Sequence, residues 1–512
     1  MDQLLLANQL LRDNITAVKA RRTASGEADT NPSLADLERS HVLFVNAHYK
    51  PYVAIAFQYF KVSANNVTLG SDVSISIPQY GDFFADMVAN IVIRAPRTSV
   101  TGTITDTDSD VVIYRHCDYP GERIFDEVRF EVNSNPIDSY TSESYVLHRQ
   151  FHVPQDKLVA WDRCMGQERG SMATAALHED NTQGIAPVTA HTRTEVFNGY
   201  QTFKPAHQDL NMWIPLLFWF NQDARLAFPS VSVPYGQRFI TFRLTQAANI
   251  YHAIVNPSCN STTLEAPTLS SPQISTFDLY INNMFVLPEV HDIFIDRVAF
   301  TLVRVHRRQT QNLNKSSDSI HLVQLKWPIE TLMFGFQPTV NRVANPVVNK
   351  PSGVGADLQV AAVSNHMEDW HRFCKVTNST VAQANVRGAS SKLNVKYEDS
   401  HITTLKLQAH SVDLFAEFPA QFFNSYIPYQ FGGSSVTAPT DPGLYLYSFA
   451  LHPGQYQPSG HFNVSRAREL YLNYTSSFIS SESNRTATFF VQAKAINFLL
   501  ISEGSCSLRY ST

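Results

Sequence analysis

Charged residues are scarce in this sequence: Asp, Glu, Lys and Arg make up 17% of its 512 residues, against about 25% in average soluble proteins. A chain with so little charge has few groups to keep an isolated monomer in solution, and extensive burial between subunits accounts for that. The formal net charge is −5 and the pI is near 6.4, so the basic excess of a nucleic-acid binder is missing and no direct nucleic-acid contact is expected. Cysteine is also sparse. Cys117, Cys164, Cys259, Cys374 and Cys506 are scattered, with no Cys-x-x-Cys pair, which excludes a zinc knuckle or dithiol redox motif and suits a reducing compartment.

Long apolar runs are missing as well. Leu4-Leu5-Leu6 is too short for a secretory signal, and no stretch approaches the roughly 20 residues that span a bilayer. Synthesis and assembly in the cytoplasm are expected, and the Asn-x-Ser/Thr triplets at Asn260, Asn378, Asn463, Asn473 and Asn484 read as chance. No phosphate-binding Gly-x-x-x-x-Gly-Lys loop, Gly-x-Ser-x-Gly elbow or His-Glu-x-x-His helix occurs, so the common nucleotide, acyl-transfer and zinc-hydrolase chemistries have no foothold.

Aromatic residues are plentiful, with 33 Phe and 21 Tyr, and they favour strands packed face to face. Val73, Ile75 and Ile77 alternate with Ser74 and Ser76, and Ile240, Phe242 and Leu244 alternate with Thr241 and Arg243. Leu405, Leu407 and Ala409 repeat the pattern, as do Tyr445, Tyr447, Phe449 and Leu451. Phe489, Val491, Ala493 and Ala495 form one more such face, opposite Gln492 and Lys494. This two-residue period predicts half-buried strands. Brief helices are expected at 141 to 151 and 221 to 227.

Residues 4 to 22 are the clearest helix, with Leu4, Leu11, Ile15 and Val18 at helical spacing and Lys19, Arg21 and Arg22 near its C-terminal end. This arm lies either on a membrane, beneath neighbouring subunits, or on its own domain; the sequence favours none of these. Residues 96 to 112, 166 to 208, 245 to 272 and 338 to 366 read as long loops, spaced as if each half carried decoration at one end. The strand pattern resets where Pro288-Glu289 precedes a fresh β run from Arg297. The expected division is an arm over 1–41, one β-sandwich over 42–290 and another over 291–512.

Tyr447-Ser448-Phe449-Ala450-Leu451-His452-Pro453, then Gln457-Pro458-Ser459-Gly460 and Asn463-Val464-Ser465-Arg466, reads as a core strand followed by a tight turn. Its wording resembles a signature of the major capsid proteins of nucleocytoplasmic large DNA viruses. Trp213-Ile214-Pro215-Leu216-Leu217-Phe218-Trp219-Phe220, with Leu226 to Gly236 and Arg238 to Thr241 after it, resembles a strand, helical turn and strand of the same family. Asn46 to Val53, Ile77 to Phe84, Cys117 to Arg123, Leu279 to Asn283, Leu325 to Glu330 and Ser507 to Thr512 narrow the resemblance to the branch found in African swine fever virus and its amoebal relatives. It runs from end to end, with loops at 96 to 112 and 166 to 208 that look trimmed.

The resemblance implies an all-β double jelly roll, two tandem eight-stranded sandwiches, that forms homotrimers of pseudo-hexagonal outline and tiles an icosahedral virion shell. It further implies minor capsid and penton proteins as partners, and raises an inner viral membrane and a viral folding chaperone as others. A structural protein is expected, with no catalytic, cofactor-binding or metal-binding residue. The nearest thing to a metal site is His366, Glu368, Asp369 and His371, but Trp370 and Phe373 interleave with them as in a packed segment; His116 beside Cys117 reads as structural. The 18 histidines suggest contacts that loosen in acid. A carbohydrate-binding sandwich, with loop aromatics stacked on sugars, is the alternative from another class.

Overall fold

The computed structural model describes Gln9, Asp13, Thr16, Ala17 and Ala20, and residues 55–100, 112–168, 172–177, 191–196, 204–255, 267–342, 369–384 and 390–510 apart from 235, 297, 298, 433, 434, 468 and 503. The chain divides into a unit of residues 1–54 and a unit of residues 55–512. In the first, the five described residues are helical and exposed, as expected for one face of the predicted arm helix. Leu4, Leu11, Ile15, Val18, Lys19, Arg21 and Arg22 lie outside the described residues.

The second unit contains two sandwiches built to one plan. Strands β1 (Ile55–Ser63), β2 (Asp72–Ser76), β3 (Phe83–Ile93), β4 (Phe125–Val132), β5 (Asn135–Thr141), β6 (Leu210–Pro215), β7 (Arg238–Leu244) and β8 (Ile274–Val286) form the first. Its sheets run β1-β8-β3-β6 and β2-β7-β4-β5, all antiparallel. The second has β9 (Ala299–Leu313), β10 (Ser317–His321), β11 (Pro328–Pro338), β12 (Ile402–Ala409), β13 (Val412–Pro419), β14 (Leu444–Ser448), β15 (Leu470–Ser476) and β16 (Ala487–Ser502). Its sheets run β9-β16-β11-β14 and β10-β15-β12-β13. Strand for strand, the two orders are the same, and each is that of a jelly roll.

Alternation explains which side of each strand is buried. Val73, Ile75, Ile240, Phe242, Leu405, Leu407 and Ala409 all point into cores. Phe84, Phe130, Phe220 and Phe228 interlock in the first core, and Phe336, Tyr445, Tyr474 and Phe489 in the second. Burying a side chain of this size stabilises by about 1.5–3 kcal/mol. The equivalent tight hairpins β4–β5 and β12–β13 turn on Asn133-Ser134 and His410-Ser411, with φ positive at all four residues. That geometry matches the twist of adjoining strands.

Two strand readings need correction. β14 stops at Ser448, and Leu451, placed on a buried face by its alternation with Tyr447 and Phe449, is exposed. Gln492 and Lys494 do not form a solvent face: nearly the whole of β16 is buried on both sides. At the junction between the sandwiches Pro288 opens a helix, α2 (Pro288–Asp296), before β9 begins. A helix α1 (Ser142–His152) occupies the stretch expected to be helical after β5, and Trp219–Gln222 with Ala224–Leu226 supplies the second brief helical segment.

Chain direction fixes where the long connections emerge. In this antiparallel order the β3–β4, β5–β6 and β7–β8 links leave from one end of the first sandwich, as do β11–β12 and β13–β14 in the second. Those links hold short pieces of their own: Thr98–Val100 pairs with Pro267–Leu269, Val112–His116 with Tyr251–Val255, Met172–Leu177 with His191–Val196, and Lys375–Ala384 with Ser390–Asp399. Parts of the stretches read as loop, namely Thr98–Val100, Met172–Leu177, His191–Val196, Tyr251–Val255 and Pro267–Leu269, are therefore paired backbone.

Candidate assembly surfaces

The first surface is already occupied, by the other half of the same chain. β5 is an edge strand of the first sandwich and β9 an edge strand of the second, and they meet. The backbone amide of His306 donates to Asp138 Oδ1 at 2.9 Å, and His306 Nδ1 lies 3.0 Å from Asp138 Oδ2. Beside this clasp, Arg308 donates to Glu127 at 2.6 Å, and the Tyr140 ring meets the His306 ring edge-on. Arg308 and Arg129 beside Glu127 hold its carboxyl below the usual range, against the upward push of burial.

Helix α1 extends the seam. Gln150 Oε1 accepts from the amides of Thr440 and Asp441 and from the Thr440 hydroxyl, while Thr437 donates its amide to the Phe151 carbonyl. Arg342 pairs with Glu143 at 3.1 Å, and the Arg123 guanidinium lies over the Trp370 ring. Helix α1 is itself anchored by a buried pair: Glu122 Oε1 accepts from Arg149 Nε and from Trp161 Nε1, each at 2.7 Å. Burial pushes the Glu122 carboxyl upward; burial also pulls the Arg149 guanidinium down, but the facing carboxylate and Tyr119 together leave it raised.

A cavity of about 80 Å³ sits in the seam, lined by His152, Trp219, Arg304, Glu330, Met333 and Lys494 among others. Arg304 binds both oxygens of Glu330 and the carbonyls of Gln455 and Tyr456. Two carbonyls from the stretch Tyr447 to Arg466 thus cap one half-buried cation. Its turn is closed by Ser459, whose hydroxyl accepts from the His452 amide, and by Gly460 at φ 148°. Burial, then the neighbouring Arg304, brings the Lys494 ammonium down to about 8.

The second kind of surface is open. On edge strand β1, Ile55, Phe57 and Tyr59 are exposed, Phe57 at 61%. On β13 and the helical turns after it (Phe422–Tyr426 and Ile427–Phe431), Val412, Phe418, Tyr426 and Tyr429 are exposed, Tyr429 at 83%. Exposed aromatic groups of this kind on edge strands mark contact surfaces more often than solvated ones.

Of the residues weighed as a metal site, His366 and Glu368 lie outside the described residues. Asp369 is buried against Arg372 at 3.4 Å, and the His371 ring packs edge-on to Tyr119. Trp370 and Phe373 are buried. Among the described residues no group of three or more His, Cys, Asp or Glu side chains is arranged to hold a metal ion. His116 packs in a ring cluster with Tyr114, His207 and Tyr251, and burial lowers it to about 4. Burial raises the Cys117 thiol to about 12, far from a reactive thiolate.

Asp138, His306 and Arg308, which clasp the seam, were not singled out from the sequence. A signal existed in Asp138, an acid between Ile137 and Tyr140 in a strand that otherwise turns apolar groups inward.

Paired eight-stranded jelly rolls with one end loop-laden and aromatic edges exposed define a shell-building class of protein. Two family models match: "Major capsid protein N-terminus" over residues 43–286 and "Large eukaryotic DNA virus major capsid protein" over residues 284–507. The chain is 32% identical to the hexon protein p72 of African swine fever virus (isolate Tick/Malawi/Lil 20-1/1983), covering 100% of this chain and 98% of the relative. Among solved structures it matches the Faustovirus major capsid protein with a TM-score of 0.75 at 33% identity, over 97% of this chain and 98% of that one. The capsid protein of Paramecium bursaria Chlorella virus 1, in a quasi-atomic model of that virus capsid, shares the fold at a TM-score of 0.58 and 19% identity, over 92% and 100% of the two chains. The chain belongs to the major capsid proteins of large eukaryotic DNA viruses. Its alignment with p72 extends over 650 positions against 512 residues here, so segments of the relative have no counterpart in this chain.

Proposed function

We propose that this chain is the principal building block of an icosahedral virion shell, acting as a homotrimer with a pseudo-hexagonal outline and not as a catalyst. The observation that carries the reading is the repeated strand order of two like sandwiches side by side in one chain, whose bounds we propose as 42–290 and 291–512. Three such chains supply six like blocks, which fill a hexagonal lattice under true threefold symmetry. A closed ring keeps each capsomer finite while its flanks make the repeated contacts of the shell. The loop-bearing end faces outward.

The resemblance supports further partners: minor capsid and penton proteins, an inner viral membrane reached by the arm of residues 1–41, and a viral folding chaperone. Virion residence follows from the same reading, with assembly in the host cytoplasm. Light scattering coupled to size exclusion tests the oligomer. A mass three times the 57.5 kDa chain supports it, and a monomer at micromolar concentration overturns it.

A further inference from the structure

The cavity in the seam has walls from both sandwiches. His152, Trp219 and Asp223 come from the first, and Arg304, Glu330 and Lys494 from the second. Strand β16 runs between β9 and β11, and Lys494 stands directly opposite His306 on one side and Thr331 on the other. Residues opposite each other in a ladder share a face of the sheet. His306 faces the first sandwich, where Asp138 holds it, so Lys494 faces the first sandwich as well.

Counting charge around the cavity leaves one ammonium over. Glu330 gives both of its oxygens to Arg304, and Asp223 gives both of its own to Arg225. Asp138 is engaged by His306. Among the described residues no acceptor is hydrogen-bonded or ion-paired to Lys494. The imidazoles of His148 and His152 are held below their ordinary value by burial first and then by Lys494, so they add no charge at neutral pH. Lys494, at about 8, keeps its own.

The cavity wall also carries an unmatched acceptor. His152 Nδ1 lies 3.1 Å from the Ser435 carbonyl, which only accepts, so the ring proton is on Nδ1. Nε2 is then a lone pair, buried and without a hydrogen-bond partner among the described residues. Leaving such an atom unsatisfied costs free energy. One charged donor and one neutral acceptor thus stand on opposite walls, one from each sandwich.

We infer that the seam binds one singly charged oxyanion that retains a hydroxyl, dihydrogen phosphate or bicarbonate, between Lys494 and His152. Its anionic oxygens accept from the Lys494 ammonium, and its hydroxyl donates to His152 Nε2. One negative charge balances the one positive charge left over. The volume of about 80 Å³ suits a group of this size, since a single water needs roughly 10–15 Å³. Chloride and sulfate lack the hydroxyl, and sulfate brings a second negative charge beside Glu330 and Asp223. An anion held by both walls binds the joined sandwiches and not the unfolded chain, so it fastens one half to the other.

Isothermal titration of the full-length protein with phosphate, bicarbonate, sulfate and chloride, at pH 7 and one ionic strength, tests this. Expected is one site per chain for phosphate or bicarbonate, the tighter of the two being the ligand. Sulfate and chloride should bind about tenfold more weakly or worse. Lys494→Met should weaken the preferred anion roughly 10- to 100-fold, the span of a hydrogen bond to a charged group. His152→Phe should bring the preferred anion down to the level of sulfate, which a general salt effect would not do. Circular dichroism checks each fold, and a variant that misfolds is replaced by Lys494→Gln or His152→Leu under the same criteria. Sulfate binding as tightly as phosphate and bicarbonate overturns the inference. So does a wild type with no site for any of the four, or Lys494→Met with unchanged affinity.

Discussion

Asp138 holds His306 by two atoms at once, its Oδ1 receiving the backbone amide at 2.9 Å and its Oδ2 facing the imidazole Nδ1 at 3.0 Å. One carboxylate therefore fixes both the position of an edge strand and the orientation of a side chain on it. Asp138→Ala is expected to lower stability by about 2–3 kcal/mol, the range for a hydrogen bond to a charged group. Asp138→Asn, which keeps one acceptor, is expected to cost less. Urea unfolding of the two variants checks the order.

Glu122→Ala removes the carboxylate bonded to Arg149 Nε and leaves a buried guanidinium on α1. The expected loss is about 3–5 kcal/mol, as for breaking a buried pair by deleting one partner. Arg149 also lies over the Tyr119 ring at 4.1 Å, which softens the loss without replacing the charge. Glu122→Gln retains an acceptor for Trp161 and should fall between. Thermal melts of the three proteins give the comparison.

Acid should destabilise the fold through neutral histidines. Burial brings His116 and His401 each to about 4, and His401 Nε2 sits 2.7 Å from the Phe336 carbonyl. Below the unfolded value near 6.5 the unfolded chain takes up protons that the folded chain refuses, so stability falls as pH drops from 6.5 toward 4. At pH 5 the difference is about 2 kcal/mol for each histidine. Lys494 acts at the other end: between about 8 and its ordinary value near 10.5, stability should rise with pH. Chemical denaturation from pH 7.5 to 5, with His401→Gln as comparison, reads the acid limb. A flat profile contradicts it.

The hairpin turns carry a correctable strain. Ser134 and Ser411 both sit at φ near 60°, a conformation that costs side-chain-bearing residues about 1–2 kcal/mol. Ser134→Gly and Ser411→Gly should each stabilise by roughly 0.5–1 kcal/mol after the flexibility gained by the unfolded chain is subtracted. Denaturation midpoints measure it.

Strand faces that meet a core were legible because alternation reports burial on one side. Val73, Ile75, Phe242 and Leu405 illustrate this. Alternation does not distinguish solvent from a second polar-lined body, so Gln492 and Lys494 read as a wet face although β16 is covered on both sides. Leu451 kept the rhythm of Tyr447 and Phe449 after the strand had ended, because the chain turns to deliver the Gln455 and Tyr456 carbonyls to Arg304. The short paired segments within the long loops escaped notice for another reason. Their pairing joins residues far apart in sequence, such as Val112 with Val255, and each strand is short, with Val112–His116 and Tyr251–Val255 only five residues long.

The most direct measurement is electron microscopy of the purified oligomer viewed down its symmetry axis. The account predicts a threefold particle with six similar lobes in a hexagonal outline, the lobes alternating between the two sandwiches. A twofold particle, an open chain of subunits, or a threefold one without six similar lobes would contradict it.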